Sequence, residues 1–363
     1  MSDPLLAQAF DDGSVRAAAA AALGTLTAPP TDITLITRGN RKKTAVARFS
    51  TRGPVVVQLS TEPMWIRTEA ALLKAIRQRT FVPVPPVLTT GIQDGVGYML
   101  TAYVAGTDLH TSFSAVSGAT RRTLTRWFGR ALARLHEAFR FDAYGRLERS
   151  GSGFAATRDD RETWFEAYST RAVNRLPSAF DDLTADLRGL LSSPPATGHT
   201  PRLFPWDFRP GNALVADGSV TAVLDWEAPL SAAPALSVAK TEYLVSDWYV
   251  ADPAPLRAAF REGYRSVRAM PSVEPAHRVA AIAAQLGVDR PPGTVAAVDA
   301  ANVPVTDAHR GRRLVVTTRL LSLPPTSRDA AIRHATARLT PREAAVHTAA
   351  LPQPAARQAA PLS

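Results

Sequence analysis

LFPWDFRPGNALVADGSVTAVLDWE, residues Leu203 to Glu227, is the stretch that decides the fold. At its centre stands Asp217-Gly218, a dipeptide typical of a two-residue type I′ turn, in which both central residues must accept a positive φ. The runs on either side, 213–216 and 219–224, are short and apolar, which predicts two antiparallel strands. The stretch is therefore predicted to form a β-hairpin.

The predicted hairpin places three oxygen-bearing side chains near one another. If the strands pair directly across the turn, Asn212 lies opposite Val223. Asp225 then follows two residues later on the same face, and such a diagonal pair is roughly 7–8 Å apart at Cα. Asp207 precedes Asn212 by five residues, on the loop that leads into the first strand.

A carboxylate and a carboxamide close together suit a hard cation such as Mg²⁺, which keeps several waters and bridges nucleotide phosphates. A separate aspartate on the preceding loop could accept or orient a substrate hydroxyl. Asp207, Asn212 and Asp225 therefore follow the division of labour of kinase-type phosphoryl transfer. Ordinary turn formation on a surface hairpin would explain any one of them alone.

The chain before Gly106 predicts an antiparallel sheet with one helix, and Gly106 itself is a natural hinge. The order is β-β-β-α-β-β, with strands at 34–37, 44–50, 54–60, 87–90 and 98–104 and the helix at 67–77. A helix over residues 4–24, capped by Ser14, precedes this core. Beyond the hinge, apolar positions at helical spacing predict helices at 123–139, 161–171, 180–191, 238–250 and 255–267.

Composition limits the function classes. The 363 residues include no cysteine, and the formal net charge is +10. Much of that excess lies after residue 287 and in the first 60 residues, not along a helix that could enter a groove, so no nucleic-acid partner is expected. No apolar run of 18 residues and no secretory signal is evident, which favours a cytoplasmic protein without a membrane partner.

The chain resembles the aminoglycoside phosphotransferase family, which has a protein-kinase-like fold, over roughly residues 30–270. Trp206 to Asn212, WDFRPGN, is similar to the family's His-Gly-Asp-Leu-His-Pro-x-Asn segment, and Val223 to Glu227, VLDWE, to its Ile-Asp-Trp-Glu segment. Weaker matches are Thr68-Glu69-Ala70 with Leu72-Leu73, Tyr103 to Gly106, and Ala133 to His136.

The resemblance implies an α+β fold of two lobes: a small antiparallel N-lobe with one helix and a larger, mainly helical C-lobe that carries the catalytic hairpin. It implies Asp207 as the catalytic residue and Asn212 with Asp225 as Mg²⁺ ligands. Backbone groups at Ala102 and Val104 would hold adenine. Glu69 would orient the cation that grips the phosphates of ATP or GTP. The implied acceptor is a hydroxyl of a small molecule, an antibiotic or a metabolite.

Three departures from the family pattern bear on activity. Gln58 stands where the family has the phosphate-gripping Lys or Arg, so Lys42, Lys43 or Arg67 would have to supply that charge. Gly39, in a loop rich in cations, could lie over the phosphates or form a solvated turn. Without such a cation the protein would be a pseudokinase, a nucleotide-binding or regulatory module.

The second departure is Pro205-Trp206 in place of His-Gly. Proline cannot donate the hydrogen bonds of an imidazole, so the loop must be held differently. Ala233 also replaces a more typical acid before Pro234. Glu227 could contact the metal's surroundings or pack the next helix. The predicted divisions are a helical extension at 1–29, a nucleotide-binding N-lobe at 30–104, a catalytic C-lobe at 105–286 and a C-terminal extension at 287–363, disordered over its last residues.

Overall fold

The computed structural model describes residues 4–36, 42–158, 160–176, 180, 184–192, 195, 200–248 and 253–286. These residues belong to one unit, Met1–Pro292, and a second unit covers Gly293–Ser363. Gly39, Asp159 and the predicted C-terminal extension at 287–363 lie outside the described residues.

The N-lobe is a five-stranded antiparallel sheet with strand order β1-β2-β3-β5-β4 and a helix between its third and fourth strands. Its elements are α1 (Pro4–Ala9), α2 (Gly13–Leu23), β1 (Asp32–Ile36), β2 (Lys43–Arg48), β3 (Val55–Ser60), α3 (Pro63–Arg79), β4 (Val87–Gln93) and β5 (Val96–Ala102). Asp94 and Gly95 join β4 to β5 with φ values of 49° and 78°, the backbone that an Asp-Gly turn requires. The predicted β-β-β-α-β-β order is confirmed.

The N-terminal segment is part of the N-lobe core, although the sequence predicted a helix that merely precedes it. The segment forms two helices, and Asp12, not Ser14, caps α2 by accepting from the N–H groups of Ser14 and Val15. The fully buried Ala18, Ala19 and Ala22 pack into one cluster with apolar residues of β3 and β5. Alanine allows this close approach because it has no side chain beyond Cβ.

The C-lobe is mainly helical and carries two small sheets. Its helices are α4 (Leu109–Ser112), α5 (Gly118–Ala138), α6 (Arg161–Asn174), α7 (Thr184–Leu191), α8 (Pro234–Glu242), α9 (Ala254–Arg265) and α10 (Pro275–Leu286). Its strands are β6 (Thr107–Asp108), β7 (Tyr144–Ser150), β8 (Gly153–Arg158), β9 (Arg202–Phe204), β10 (Ala213–Ala216), β11 (Ser219–Val223) and β12 (Leu230–Ala232). The predicted long helices are confirmed over the described residues, except that α7 begins at Thr184 and α8 ends at Glu242, where a π-helical turn, Tyr243–Asp247, follows it. Positions 181–183 and 249–250 of the predicted helices lie outside the described residues.

The sequence did not predict the four-stranded sheet β8-β7-β12-β9 or helix α10. β9 and β12 are three residues each, too short for a periodic signal. The tip of the β7–β8 hairpin docks on the N-lobe helix, where the Arg149 N–H donates to Thr68 Oγ1 at 3.1 Å.

One apolar core connects the two lobes. It runs from α3 through the aromatic rings of Phe208 and Trp226, whose centroids are 5.9 Å apart, to α5 and α9. The segments on both sides of the β10–β11 hairpin are thereby fixed to the core. No helix in the described part of the chain has the length and apolar character needed to cross a membrane.

Candidate active site

The hairpin at β10 and β11 has the predicted turn and a register that departs from the prediction. Asp217 and Gly218 have φ values of 50° and 73°, and Ala216 pairs with Ser219 as expected. A bulge after Leu214 then shifts the ladder by one residue. The prediction that Asn212 lies opposite Val223 is therefore wrong, because Ala213 takes that place.

The extra residue of the bulge is Thr221, which falls between the pairs formed by Val220 and Ala222. Its hydroxyl donates to the Ala105 carbonyl at 3.2 Å, so the bulge attaches the hairpin to the hinge segment. The shift also brings Leu224 opposite Asn212, and the Leu224 N–H donates to the Asn212 carbonyl at 2.7 Å. Asp225 follows at once, which places both predicted metal ligands at the same end of the hairpin.

Asp207 and Asn212 are joined in a brace. The Asn212 Nδ2 atom donates both to the Asp207 carbonyl and to Asp207 Oδ2, each at 2.9 Å. Arg209 Nε lies 2.9 Å from Asp207 Oδ1, and both side chains are largely buried. A short 3₁₀ turn, Pro210–Asn212, closes the loop. The carboxylate is thus fixed on both oxygens, and Asn212 keeps its Oδ1 atom as the side-chain oxygen available to a cation.

Asp225 has a left-handed backbone, with φ of 62°, which is uncommon outside glycine and marks a residue held by its surroundings. The next residue supplies that hold. The Trp226 indole donates to the Val223 carbonyl at 2.9 Å, and its backbone N–H donates to Glu69 Oε1 at 3.2 Å. The Asp225 side chain remains 43% exposed, open to a ligand in the cleft.

Lys42 occupies the centre of the site. Its side chain is 7% exposed, and its Nζ atom lies 2.7 Å from Glu69 Oε2, 3.4 Å from Glu227 Oε2 and 3.5 Å from Asp225 Oδ1. Burial by itself would lower the pKa of Lys42, but the three carboxylates outweigh it and raise the pKa above its usual value. Lys42 is therefore a permanently charged ammonium in contact with three acids.

Lys42 lies where it could supply the positive charge that is missing at Gln58. Gln58 on β3 pairs with Thr44 on β2, and Lys42 stands two residues before Thr44. Because side chains alternate along a strand, Lys42 lies on the same face as Gln58, one strand away. Lys43 pairs with Leu59 and is exposed, and Arg67 is also exposed. Of the three candidate cations, the structure brings Lys42 to Glu69.

The hinge keeps the strand ends together at the other end of the cleft. The Ala102 N–H donates to the Pro86 carbonyl at 2.9 Å and the Tyr103 N–H to the Pro54 carbonyl at 3.3 Å. Within the described residues no hydrogen bond to the Val104 backbone is found. A Cβ at Gly106 would lie 2.9 Å from Thr221 Oγ1 and 3.0 Å from Leu214 Cβ, so only glycine passes this close to the hairpin.

The donor set fits Mg²⁺. The two side chains offered at the end of the hairpin, an amide oxygen and a carboxylate, are oxygen donors only. The described residues contain no group of three or more His, Cys, Asp or Glu arranged to hold a metal. Mg²⁺ commonly takes one or two carboxylates and completes its shell with phosphate oxygens and water, so a two-residue site is in keeping with it.

Sequence reasoning missed three features around this site. Arg209 was seen only as part of the motif, although its contact with Asp207 makes it a second local cation. The sequence left two roles open for Glu227, and in the structure its Oε2 atom lies 3.4 Å from Lys42 Nζ. The packing of Trp206 against Lys240 of α8 had no local signal, because the two are distant in sequence.

Acidic residues near the start of α6 are of the type that could bind a cationic acceptor. Asp160 instead caps α6, accepting from the Thr163 N–H at 2.9 Å. Glu162 lies 3.4 Å from Arg161. Glu166 lines an open groove of about 510 Å³. The groove's cationic lining residues are Arg158, Arg171 and Arg175.

Residues 32–276 match the model of the phosphotransferase enzyme family. The chain belongs to this family. A search of curated protein sequences finds no significant match. Membership supports small-molecule phosphotransferase activity as the general function.

Solved structures of the same fold agree with family membership. A putative aminoglycoside phosphotransferase from Ralstonia eutropha JMP134 is 16% identical, and the match covers 91% of this chain and 99% of that one with a TM-score of 0.55. Macrolide 2′-phosphotransferase MphH from Brachybacterium faecium is 16% identical over 85% and 97% of the chains, with a TM-score of 0.50. A thermostable mutant of aminoglycoside phosphotransferase APH(4)-Ia, in a ternary complex with ADP and hygromycin B, is 14% identical over 79% and 93%, with a TM-score of 0.50. The two-lobed α+β kinase-like fold predicted from the sequence is thereby confirmed.

Proposed function

We propose that this protein transfers the γ-phosphoryl group of ATP or GTP to a hydroxyl group of a small molecule, with Mg²⁺. The observation that carries the proposal is the position of Lys42, which is buried and paired with Glu69 at 2.7 Å. That contact supplies the cation that the sequence lacks at Gln58. A similar structure binds ADP, which supports a nucleotide as co-substrate.

Lys42 would hold the α- and β-phosphates. An ammonium group is a suitable partner for phosphate oxygens, and Glu69 fixes its position from α3. The same ammonium contacts Asp225 and Glu227. Polyphosphate would compete with these two carboxylates, which leaves Asp225 available to the metal. Backbone groups at Ala102 and Val104 would hold the base at the hinge.

Asn212 Oδ1 and the Asp225 carboxylate would hold Mg²⁺. When bound, the ion neutralises charge on the β- and γ-phosphate oxygens. The protein's own part is to keep the two ligands at one end of the hairpin, through the bulge at Thr221 and the left-handed backbone of Asp225. Glu227 contributes by holding Lys42 and not as a ligand.

Asp207 would orient the acceptor hydroxyl. The new bond joins the acceptor oxygen to the γ-phosphorus, and the bond from that phosphorus to the β,γ-bridging oxygen breaks. The hydroxyl proton passes late to Asp207, since phosphoryl transfer depends mainly on positioning and charge neutralisation. Arg209, 2.9 Å from Asp207 Oδ1, holds that carboxylate in place.

The acceptor class stays open within hydroxyl compounds. Similar folds include a macrolide phosphotransferase and one complex with hygromycin B, so the fold does not select the acceptor. Asp160, Glu162 and Glu166 each have a local partner or a cationic surrounding, which gives no support to a polycationic acceptor. A cytoplasmic location remains our expectation from the sequence.

Two measurements test the proposal. Melting temperature should rise with Mg²⁺ plus ATP or GTP in the wild type and not in Asp225→Asn. An acceptor screen that follows nucleotide diphosphate release should find turnover that falls about 10²–10⁴-fold in Asp207→Asn, while nucleotide-dependent stabilisation persists. If nucleotide at millimolar concentration does not raise the melting temperature, the protein is a pseudokinase that binds no nucleotide. Full turnover in Asp207→Asn would show that another group orients the hydroxyl.

A further inference from the structure

The segment that leads into the catalytic loop is anchored by an aromatic side chain where the family pattern has glycine. Trp206 lies directly before Asp207 and is half-buried. Its indole packs against Tyr168 of α6 and Phe204 of β9, with ring centroids 5.7 and 5.9 Å apart. It also joins a small apolar cluster with alanines of α6 and α10. The indole therefore points into the helical lobe and not across the cleft.

A lysine ammonium lies on the face of that indole. Lys240 of α8 is fully buried, and its Nζ atom is 3.3 Å from the centroid of the Trp206 ring. An ammonium within about 6 Å of an aromatic face is attracted by the ring quadrupole, most strongly for tryptophan and in a desolvated site. Because Trp206 directly precedes Asp207 in the chain, this contact links α8 to the loop that carries the Asp207 carboxylate.

The contribution of this attraction can be tested, because methionine has nearly the same length and shape as lysine and would fill the same space. Methionine cannot reproduce an attraction directed at the indole face.

α8 is a rigid base for such a contact. Every residue from Pro234 to Glu242 is buried. Two residues beyond Lys240, Glu242 is held by Arg261 of α9 and by Arg278 of α10. A side chain on a helix fixed in this way can hold a neighbouring loop to within a fraction of an ångström. Pro205-Trp206 lacks the imidazole of the family pattern, and the contact between Lys240 and Trp206 supplies another means of holding this loop.

We propose that Lys240 is a positioning residue: its buried ammonium holds Trp206, and through it the loop that sets the Asp207 carboxylate against the acceptor hydroxyl. The inference rests on the proposed role of Asp207 in the function given above. Lys240 does not contact substrate in this scheme, so its loss should change turnover and leave nucleotide binding intact.

The test compares Lys240→Met, Lys240→Arg and Arg261→Met by hydrogen exchange of the backbone amides of residues 204–212. Lys240→Met should accelerate exchange there about tenfold or more, since a desolvated cation–π contact has roughly that effect on an opening equilibrium. Lys240→Arg should restore slow exchange. Arg261→Met removes one of the two arginine partners of Glu242 without touching Trp206, so it should accelerate exchange in the loop much less than Lys240→Met does. Exchange is independent of turnover, so it decides the inference even if no acceptor is phosphorylated.

With an acceptor in hand, Lys240→Met should lower kcat at least tenfold with the KM for nucleotide unchanged. Trp206→Leu removes the ring from the other side and should accelerate exchange to the same extent, which keeps the test decisive should Lys240→Met fail to fold. Wild-type exchange in a folded Lys240→Met or Trp206→Leu would overturn the proposal. Equal acceleration in Arg261→Met would also overturn it, because the effect would then be general loosening of α8.

Discussion

In our proposal Lys42 supplies the positive charge that the family pattern has at the position of Gln58. Lys42 precedes β2, whereas the family pattern puts the cation on β3 at the position of Gln58. Since Gln58 pairs with Thr44 and Lys42 is two residues from Thr44, both positions face the same side of the sheet. Glu69 on α3 is buried and contacts Lys42 at 2.7 Å. The charge thus comes from the residue before β2 and not from β3, while Glu69 on α3 remains its partner.

A lysine at position 58 should therefore be able to replace Lys42 in part. Lys42→Met should weaken nucleotide binding about 10–100-fold, since contacts to charged groups contribute roughly 1.5–3 kcal/mol. It should also lower the melting temperature, because Glu69 loses its ammonium partner. Adding Gln58→Lys to Lys42→Met should recover part of both losses. Calorimetric titration with a nonhydrolysable ATP analogue measures the first and thermal melting the second.

The neighbouring lysine provides the control for this pair of variants. Lys43 is exposed and pairs with Leu59, so Lys43→Met removes the same charge from the opposite face. It should leave nucleotide affinity within about twofold, in keeping with the small effects of surface charges. Equal losses in the two single variants would mean that general charge, and not the contact with Glu69, governs binding.

At the scale of single elements, the packing of α5 on α9 depends on two glycines. A Cβ at Gly129 would lie 2.0 Å from the Phe260 carbonyl oxygen, and one at Gly263 would lie 1.9 Å from the Arg126 carbonyl oxygen. Both obstacles are backbone atoms, which cannot rotate away. The two helices therefore touch backbone to backbone, and the Arg126–Glu262 ion pair at 2.8 Å closes the edge of the contact.

Gly129→Ala should accordingly push the helices apart and destabilise the protein by about 3 kcal/mol, at the upper end of the usual cost of overpacking. Gly189→Ala is the matched control, since Gly189 lies in α7 with open space around its Cβ position. That substitution should be neutral or stabilise by about 1 kcal/mol, the helix preference of alanine over glycine. Urea unfolding of the three proteins measures both changes, and a Gly129→Ala protein as stable as wild type would contradict the backbone contact.

Element types were predictable where the pattern was long or the turn chemistry specific. Asp217-Gly218 predicted its turn because few other residues accept positive φ at both central positions. The bulge at Thr221 was not predictable, because it depends on a contact with Ala105 in the hinge segment. One inserted residue changed the partner of Asn212 without altering the apolar pattern that indicated the strands.

For the whole molecule, the order of the lobes could be predicted, and the contacts between distant elements could not. The strand runs, the hinge and the helical periods are local properties of the chain. The choice of Lys42 among three cations, and the contact of Lys240 with Trp206, depend on tertiary packing of residues far apart in sequence. Asp207, Asn212 and Asp225, the site residues that we propose, could be selected from the sequence because they lie close together along the chain, in one hairpin and the loop before it.

The stability of the whole fold should depend on pH through one buried histidine. His136 of α5 is fully buried, with Nδ1 2.8 Å from the Tyr264 hydroxyl and Nε2 3.1 Å from Ser237 Oγ. Burial, with smaller contributions from Arg268 and Arg202, holds the pKa of His136 well below its ordinary value of about 6.5. The imidazole thus stays neutral while it links α5, α8 and α9.

In the unfolded chain the same imidazole regains a pKa of about 6.5. Below that pH the unfolded state binds one more proton than the folded state, so stability is complete above pH 6.5 and falls as pH decreases through it. The slope from this residue approaches about 1.4 kcal/mol per pH unit. Urea unfolding of wild type at pH 7.5 and 5.5 should show this loss. His136→Asn should be less stable at pH 7.5 but should lose less between the two values. Tyr264→Phe removes a hydrogen bond and leaves the imidazole buried, so its unfolding free energy should depend on pH as in the wild type. If His136→Asn also kept the wild-type dependence, other groups would be responsible for it.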